Sequence, residues 1–100
     1  MQIQQAITDV PTAGTAAQLS ASTAGVYAIW VKGSDSNSAR AYFGTSSVAS
    51  TTGWTLQPGQ EKDFHFYDLS APGGSLLPLS SLYADVDING EDLEWIALTT

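Results

Sequence analysis

The sequence predicts an all-β chain, a small β-sandwich or jelly roll of seven to eight mostly antiparallel strands. Charged residues make up only 13% of it against 43% hydrophobic. The remaining polarity comes from Ser, Thr, Gly, Gln and Asn, a palette of strands and turns. Short apolar–polar alternations recur between clusters of Gly, Pro, Asn and Ser, and no segment sustains a helical period with its caps.

The first alternations are Ile3 to Thr8 and Thr15 to Leu19, separated by Val10-Pro11-Thr12-Ala13-Gly14. Residues 1–13 read as an N-terminal arm or first edge strand, and residues 14–100 as a single β-sandwich domain. Gly25 to Gly33, GVYAIWVKG, is a strand bounded by glycines and rich in β-branched and aromatic residues. Simple alternation sends Val26, Ala28 and Trp30 one way and Tyr27, Ile29 and Val31 the other. Both faces are then apolar, so the strand needs a cover on each side: a sheet, a loop or a neighbouring subunit.

The polar run Gly33 to Ala39 reads as a loop, followed by a strand at Arg40 to Gly44. In the next loop, TSSVASTTG, Val48 is a small apolar plug. Trp54-Thr55-Leu56 alternates out of it, and Gln57-Pro58-Gly59-Gln60 is a turn, with Pro presetting φ and Gly free to take positive φ. EKDFHFYDL sets Phe64 and Phe66 on one face and Asp63, His65 and Tyr67 on the other. Ser70 to Pro78, with two prolines and two glycines around Leu76 and Leu77, reads as an irregular excursion. From Ser81 onward Leu82, Ala84, Val86 and Ile88 alternate inward with Tyr83, Asp85 and Asp87 outward, and DLEWIALTT returns after Gly90.

Three basic residues against ten acidic ones, for a net charge of −7, leave no basic footprint for nucleic acid. The same charge disfavours anionic membranes, and no apolar run approaches the roughly 20 residues of a spanning helix. MQIQQAITDV lacks the n-region and h-region of a signal peptide, which points to synthesis in a cytoplasm. With no cysteine there is neither a disulfide framework nor a thiolate metal site.

DVDINGED, Asp85 to Asp92, opens like a calcium loop, with oxygen side chains at the first, third and fifth positions and Gly at the sixth. Its twelfth position is Ile96, where a carboxylate should stand, and both flanks alternate as strands. Asn89-Gly90 therefore reads as the turn of a last β-hairpin. A calcium site gathered from Asp85, Asp87, Glu91 and Asp92 outside that frame is the other reading. His65 is the single histidine, and there is no nucleophile elbow, zinc spacing or phosphate loop. The expectation is a protein that is not an enzyme and holds no cofactor. Trp30 and Trp95 read as core, whereas Trp54, emerging from a loop, is a possible ligand-facing aromatic.

Gly14-Thr15-Ala16-Ala17-Gln18-Leu19, Ala41-Tyr42-Phe43-Gly44, Val48, Gly53, Leu56-Gln57-Pro58-Gly59-Gln60, Asp68-Leu69 and Leu82-Tyr83-Ala84 follow one another in an order that resembles a group of small bacteriophage virion proteins. The resemblance spans about Gly14 to Leu98 and rests on structural residues. It implies a β-sandwich or jelly roll used as a capsid decoration or cement protein, or as a module of fibres or tails. Such a protein would be made in the host bacterial cytoplasm, sit on the virion surface, bind the major capsid protein and form a homotrimer. Asn37-Ser38-Ala39-Arg40 and the long stretch between Leu69 and Leu82 depart from the motif order of that group. Within that frame Ile3, Ile7 and Val10 of the arm and Leu76 and Leu77 of the excursion are the expected shell or subunit contacts. A receptor- or carbohydrate-binding module of a tail fibre or baseplate, using Trp54, is the alternative.

Overall fold

The computed structural model describes residues 1–66 and 76–100, and they form an all-β sandwich. Eight strands run in order: β1 Gln2–Asp9, β2 Ala17–Gln18, β3 Val26–Gly33, β4 Ala41–Gly44, β5 Trp54–Leu56, β6 Glu61–His65, β7 Tyr83–Val86 and β8 Asp92–Thr99. One four-stranded sheet has the order β1-β8-β3-β6 and the other β2-β7-β4-β5. Every named pairing is antiparallel, and β1 pairs with β8, β2 with β7, β3 with β6 and β4 with β5. This nesting is a long antiparallel hairpin rolled into two layers, so of the two folds expected the strand order selects the jelly roll.

Alternation explains which side chains meet between the sheets. Ile29 and Val31 of β3 and Leu93, Trp95 and Ala97 of β8 face Ala41, Phe43, Leu56, Ala84 and Val86 of the opposite sheet, all of them buried. Val26 joins the inner face as well, against the simple alternation. The pairing of β3 with β8 slips between Val26↔Thr99 and Ala28↔Leu98, a β-bulge that leaves Tyr27 as the extra residue. The bulge turns Val26 inward and leaves Ala28 and Trp30 on the outer face.

Residues 1–13 are no free arm. All eight residues of β1 are in register with β8, and Val10 is fully buried in the core. Val10 is thus corrected from a surface contact to a core residue, and removing the first dozen residues would take an entire edge strand and a core side chain with them. Thr8 completes the lock: its hydroxyl accepts the Trp95 indole N–H at 3.0 Å. Trp95 is core, as expected.

The last hairpin also needs correction. β7 and β8 belong to different sheets, so Asn89 and Gly90 turn the chain across the sandwich instead of closing a hairpin. The Glu91 N–H reaches the Ile88 carbonyl at 3.2 Å, Gly90 has φ +82° and Asn89 has negative φ, which fits a type II turn rather than type I′. Gln57 to Gln60 turns in the same way, with Gly59 at φ +77° and a 2.9 Å bond from Gln60 N–H to the Gln57 carbonyl, and it too joins one sheet to the other. Among the described strands only β4 and β5 follow each other within one sheet.

Val48 is the expected plug, 5% exposed beneath that β4–β5 connection. Gly53 beside it has φ +119°, and a Cβ there would lie 2.6 Å from Val48 Cγ2 and 2.9 Å from the Phe43 carbonyl oxygen. Gly14 also has positive φ, +88°, but open space around it. Gly53→Ala should therefore cost about 1–3 kcal/mol from backbone strain, and more from the crowding, whereas Gly14→Ala should cost about 1 kcal/mol. Urea denaturation of the two variants checks this; equal losses would contradict the crowding at Gly53.

Candidate docking surface

The outer face of the β1-β8-β3-β6 sheet is built from alternate residues of its strands: Ile3, Gln5 and Ile7, then Glu94, Ile96 and Leu98, then Trp30 and Lys32, then Glu61, Asp63 and His65. Register places Ile3 opposite Leu98, Gln5 opposite Ile96, Ile96 opposite Trp30, and Lys32 between Glu94 and Glu61. No element of the described residues covers the centre of this face. Ile3 is 67% exposed, Ile7 64%, Trp30 39% and Ile96 38%. Four large apolar side chains on one sheet face form the kind of patch that marks an interaction site.

The patch has a defined relief and rim. A depression of about 420 Å³ is lined by Gln5, Ile7, Trp30, Lys32, Glu94 and Ile96 among others. The Trp30 ring stands edge-on to the His65 ring at 5.9 Å, and His65 Nε2 lies 2.7 Å from Asp63 Oδ2. Lys32 Nζ is 3.0 Å from Asp35 Oδ2, a hydrogen bond that raises its pKa above the ordinary lysine value. Ile3 and Ile7, expected as contacts, are exposed on this face. Trp30, expected in the core, is instead exposed, because Ile29 and Val31 take the inner face and alternation turns Trp30 away from it. A sequence signal for it existed in the doubly apolar run of β3, and β8, with Leu93-Trp95-Ala97 inward and Ile96 and Leu98 outward, carries the same one.

The other expected contacts lie apart from this face. Leu76 sits against Gly25, where a Cβ would come within 2.9 Å of Leu76 Cβ, and Leu77 is exposed with its carbonyl accepting the Val26 N–H at 2.8 Å. Residues 70–75 of the expected excursion, like Tyr67, Asp68 and Leu69, lie outside the described residues, and Pro78 at its end bridges to Gly25. Trp54, 54% exposed, stands where the edges β5 and β6 meet. Its ring lies 5.5 Å from that of Phe64 with Lys62 Nζ 5.4 Å above it, and a shallow depression joins it to Gln60, Glu61 and Asp63.

Of the DVDINGED acids expected outside, Asp87 is exposed and Asp85 is turned inside. The carboxylates of Asp85, Asp87 and Glu91 accept hydrogen bonds from the protein itself. Asp85, expected outside, is 2% exposed and accepts the Gly14 N–H at 2.9 Å and the Val86 N–H at 2.8 Å. Asp87 accepts from the Tyr42 hydroxyl at 2.8 Å and from Arg40 Nε at 3.3 Å. Glu91 takes the Ser38 and Ala39 N–H groups at 2.6 and 3.2 Å, and Asn89 Oδ1 takes the Ala13 N–H at 2.8 Å. Ile88, expected inside, is 45% exposed at the turn. Among the described residues no three Asp, Glu or His side chains converge as metal ligands.

Two of these carboxyls titrate in opposite senses. The Ser38 backbone N–H, with further help from the Ser38 hydroxyl and the Ala39 N–H, holds Glu91 below the ordinary Glu value. Its stabilisation is present above the unfolded pKa and is lost as pH falls through the folded one. Burial first, and then Asp9 directly across the ladder, push Asp92 up. Stabilisation from Asp92 is complete below its unfolded pKa and is lost as pH rises through the folded value. Asp92→Asn keeps the neutral form at every pH, so it should raise the thermal midpoint at neutral pH and leave it unchanged below the carboxylate range. Thermal melts across that range test the sign; a lower midpoint at neutral pH would contradict it.

Comparison of this chain with protein-family models, with curated proteins and with solved structures returned no match.

Proposed function

We propose that this chain is a non-enzymatic bacteriophage structural protein, a capsid decoration protein that binds the assembled head shell through the outer face of the β1-β8-β3-β6 sheet. The observation that carries the reading is the uncovered apolar face of Ile3, Ile7, Trp30 and Ile96. Its large exposed aromatic, Trp30, and its charged rim of Glu61, Asp63, Glu94 and Lys32 have the anatomy of a protein interface. The resemblance of the motif order to small virion proteins supplies the partner class, and the jelly roll is an architecture used in viral capsids. Fold alone does not assign a function.

In this reading the apolar centre excludes water against a shell subunit, and the net charge of −7 favours a basic patch on the lattice. Several copies seated on neighbouring subunits clamp the shell through effective concentration, even where each contact is weak. A second reading, a glycan- or receptor-binding module of a tail fibre or baseplate, is favoured by the exposed Trp54 with Gln60, Lys62 and Asp63 around it. A flat ring bordered by hydrogen-bonding side chains suits a sugar face.

Electron microscopy of particles of a phage that carries this chain should find it as density on the head surface; density confined to the tail would favour the second reading. Trp30→Ser and Ile96→Ser should leave the far-ultraviolet circular dichroism unchanged and lower the affinity for assembled shells by about tenfold or more each, the effect of losing an interface anchor. Full shell occupancy by both folded variants would overturn the assignment of this face.

A further inference from the structure

We propose that β1 pairs edge to edge with the β1 of a second copy of this chain, antiparallel, with Gln5 opposite Gln5. The two sheets would then form one continuous eight-stranded sheet about a two-fold axis. The argument stands apart from the identity of any shell or glycan partner.

Edge strands expose unpaired N–H and C=O groups, and proteins ordinarily blunt them with shortness or charge. Three of the four sheet ends here carry such protection. β2 has two residues and β5 three, while β6 opens with Glu61, Lys62 and Asp63. β1 is the exception. Its eight residues, QIQQAITD, hold no charge before Asp9 and no proline, in a chain with ten acidic residues. The ladder to β8 runs from Gln2↔Thr99 to Asp9↔Asp92 without a bulge. The edge is long, straight and neutral.

The direction of its free backbone groups follows from the bonds just past the ladder. Val10 donates its N–H to the Glu91 carbonyl at 3.0 Å and accepts from Gly90 at 2.8 Å, so its backbone faces β8. On the far side of β8, Thr100 donates to Gly25 and Asp92 accepts from Ser34, so even-numbered residues of β8 face β3 and odd-numbered ones face β1. Alternation then turns the N–H and C=O of Gln2, Gln4, Ala6 and Thr8 toward β8 and those of Ile3, Gln5 and Ile7 toward the open side.

Those three residues are also symmetric in type about Gln5. An antiparallel pair centred there sets Ile3 of each copy against Ile7 of the other, and each facing pair exchanges two hydrogen bonds. The isoleucines meet side by side on the outer face, where both are exposed, an apolar cross-strand pair on each side of the axis. Shifting the register by one hydrogen-bonding step sets Ile3 against Gln5 or against Asp9, so the centred register is the one that matches apolar with apolar. The axis stands perpendicular to the sheet. Both copies therefore present Trp30 and Ile96 on the same side, and the two apolar faces become one.

The contact is isologous and closes at two copies. With a charge of −7 on each copy and none along Gln2 to Thr8, repulsion acts at a distance from the seam, so added salt should tighten the dimer.

Sedimentation equilibrium of the full chain should give a two-copy species. A monomer at concentrations on the order of 100 µM, weak even for a transient complex, or a three-copy species would overturn the proposal. Gln5→Pro removes an N–H that faces the open side and leaves the ladder to β8 whole; it should fold and weaken the dimer at least tenfold. Should that variant fail to fold, Ile7→Lys provides the same readout by placing a charge against Ile3. A folded Gln5→Pro or Ile7→Lys variant that dimerises as tightly as the parent would overturn the proposal. Register is tested in this cysteine-free chain by single cysteines. Opposed residues of such a pair lie about 5.5 Å apart at Cα, within disulfide reach. Gln5→Cys should cross-link on mild oxidation and Ile3→Cys should not; the reverse pattern would overturn the centred register.

Discussion

The constraint on which the molecule rests is the position of β8 between β1 and β3. Asp92 to Thr99 carries a full ladder on each side, eight residues against β1 and nearly as many against β3. It brings Leu93, Trp95 and Ala97 into the core. The Trp95 indole, bonded to Thr8, extends the same hold to the first strand. With β8 fixed, the outer face of its sheet is fixed too, since the alternation that buries those three residues must present Glu94, Ile96 and Leu98 on the other side. The candidate docking surface is thus the reverse side of the core, made by the same strands.

A second element holds the end of the sandwich where the chain passes from β7 to β8. There the polar side chains of DVDINGED organise two segments remote in sequence, residues 13–14 and 38–42: Asp85 and Asn89 hold Ala13 and Gly14, Asp87 holds Arg40 and Tyr42, and Glu91 holds Ser38 and Ala39. Asn37 adds a two-way bond to the backbone of Asp92, at 2.8 and 3.0 Å. Charge-assisted acceptance from N–H groups is among the stronger hydrogen bonds available to a small chain without disulfides. A surface rich in acids by composition therefore spends several of them inside its own framework.

Most strands were legible because alternation is local. Gly25 to Gly33, Arg40 to Gly44, Trp54 to Leu56 and the run from Asp92 are found within a residue or so of where the pattern puts them. What could not be read locally is which strand pairs with which. Asn-Gly between two alternating runs is the commonest mark of a hairpin, yet a glycine at positive φ serves a type II turn that crosses between sheets equally well. The choice lies with the core on either side of it. The burial of Asp85 depends on Gly14, and that of Val10 on β8, contacts far apart in the chain. Trp30 escapes a local reading for a related reason: alternation sets it opposite Ile29 and Val31, but which of the two apolar faces meets the other sheet is decided by contacts far along the chain. The exposure of Ile3, Ile7 and Trp54 was legible because all three stand on strands at the edges of their sheets.

The nesting of β1 with β8 also bears on how the chain is made. During synthesis from the amino terminus, β3 and β6 can meet and the β4–β5 hairpin can close early, but the centre of the first sheet arrives last. Until β8 leaves the ribosome, β1 has no strand to pair with on either side, and its neutral QIQQAIT run waits in the open. Sheets assembled from such distant parts form slowly, and unpaired strands on a nascent chain are open to wrong partners. The interval before β8 emerges is thus the time in which β1 is open to wrong pairing.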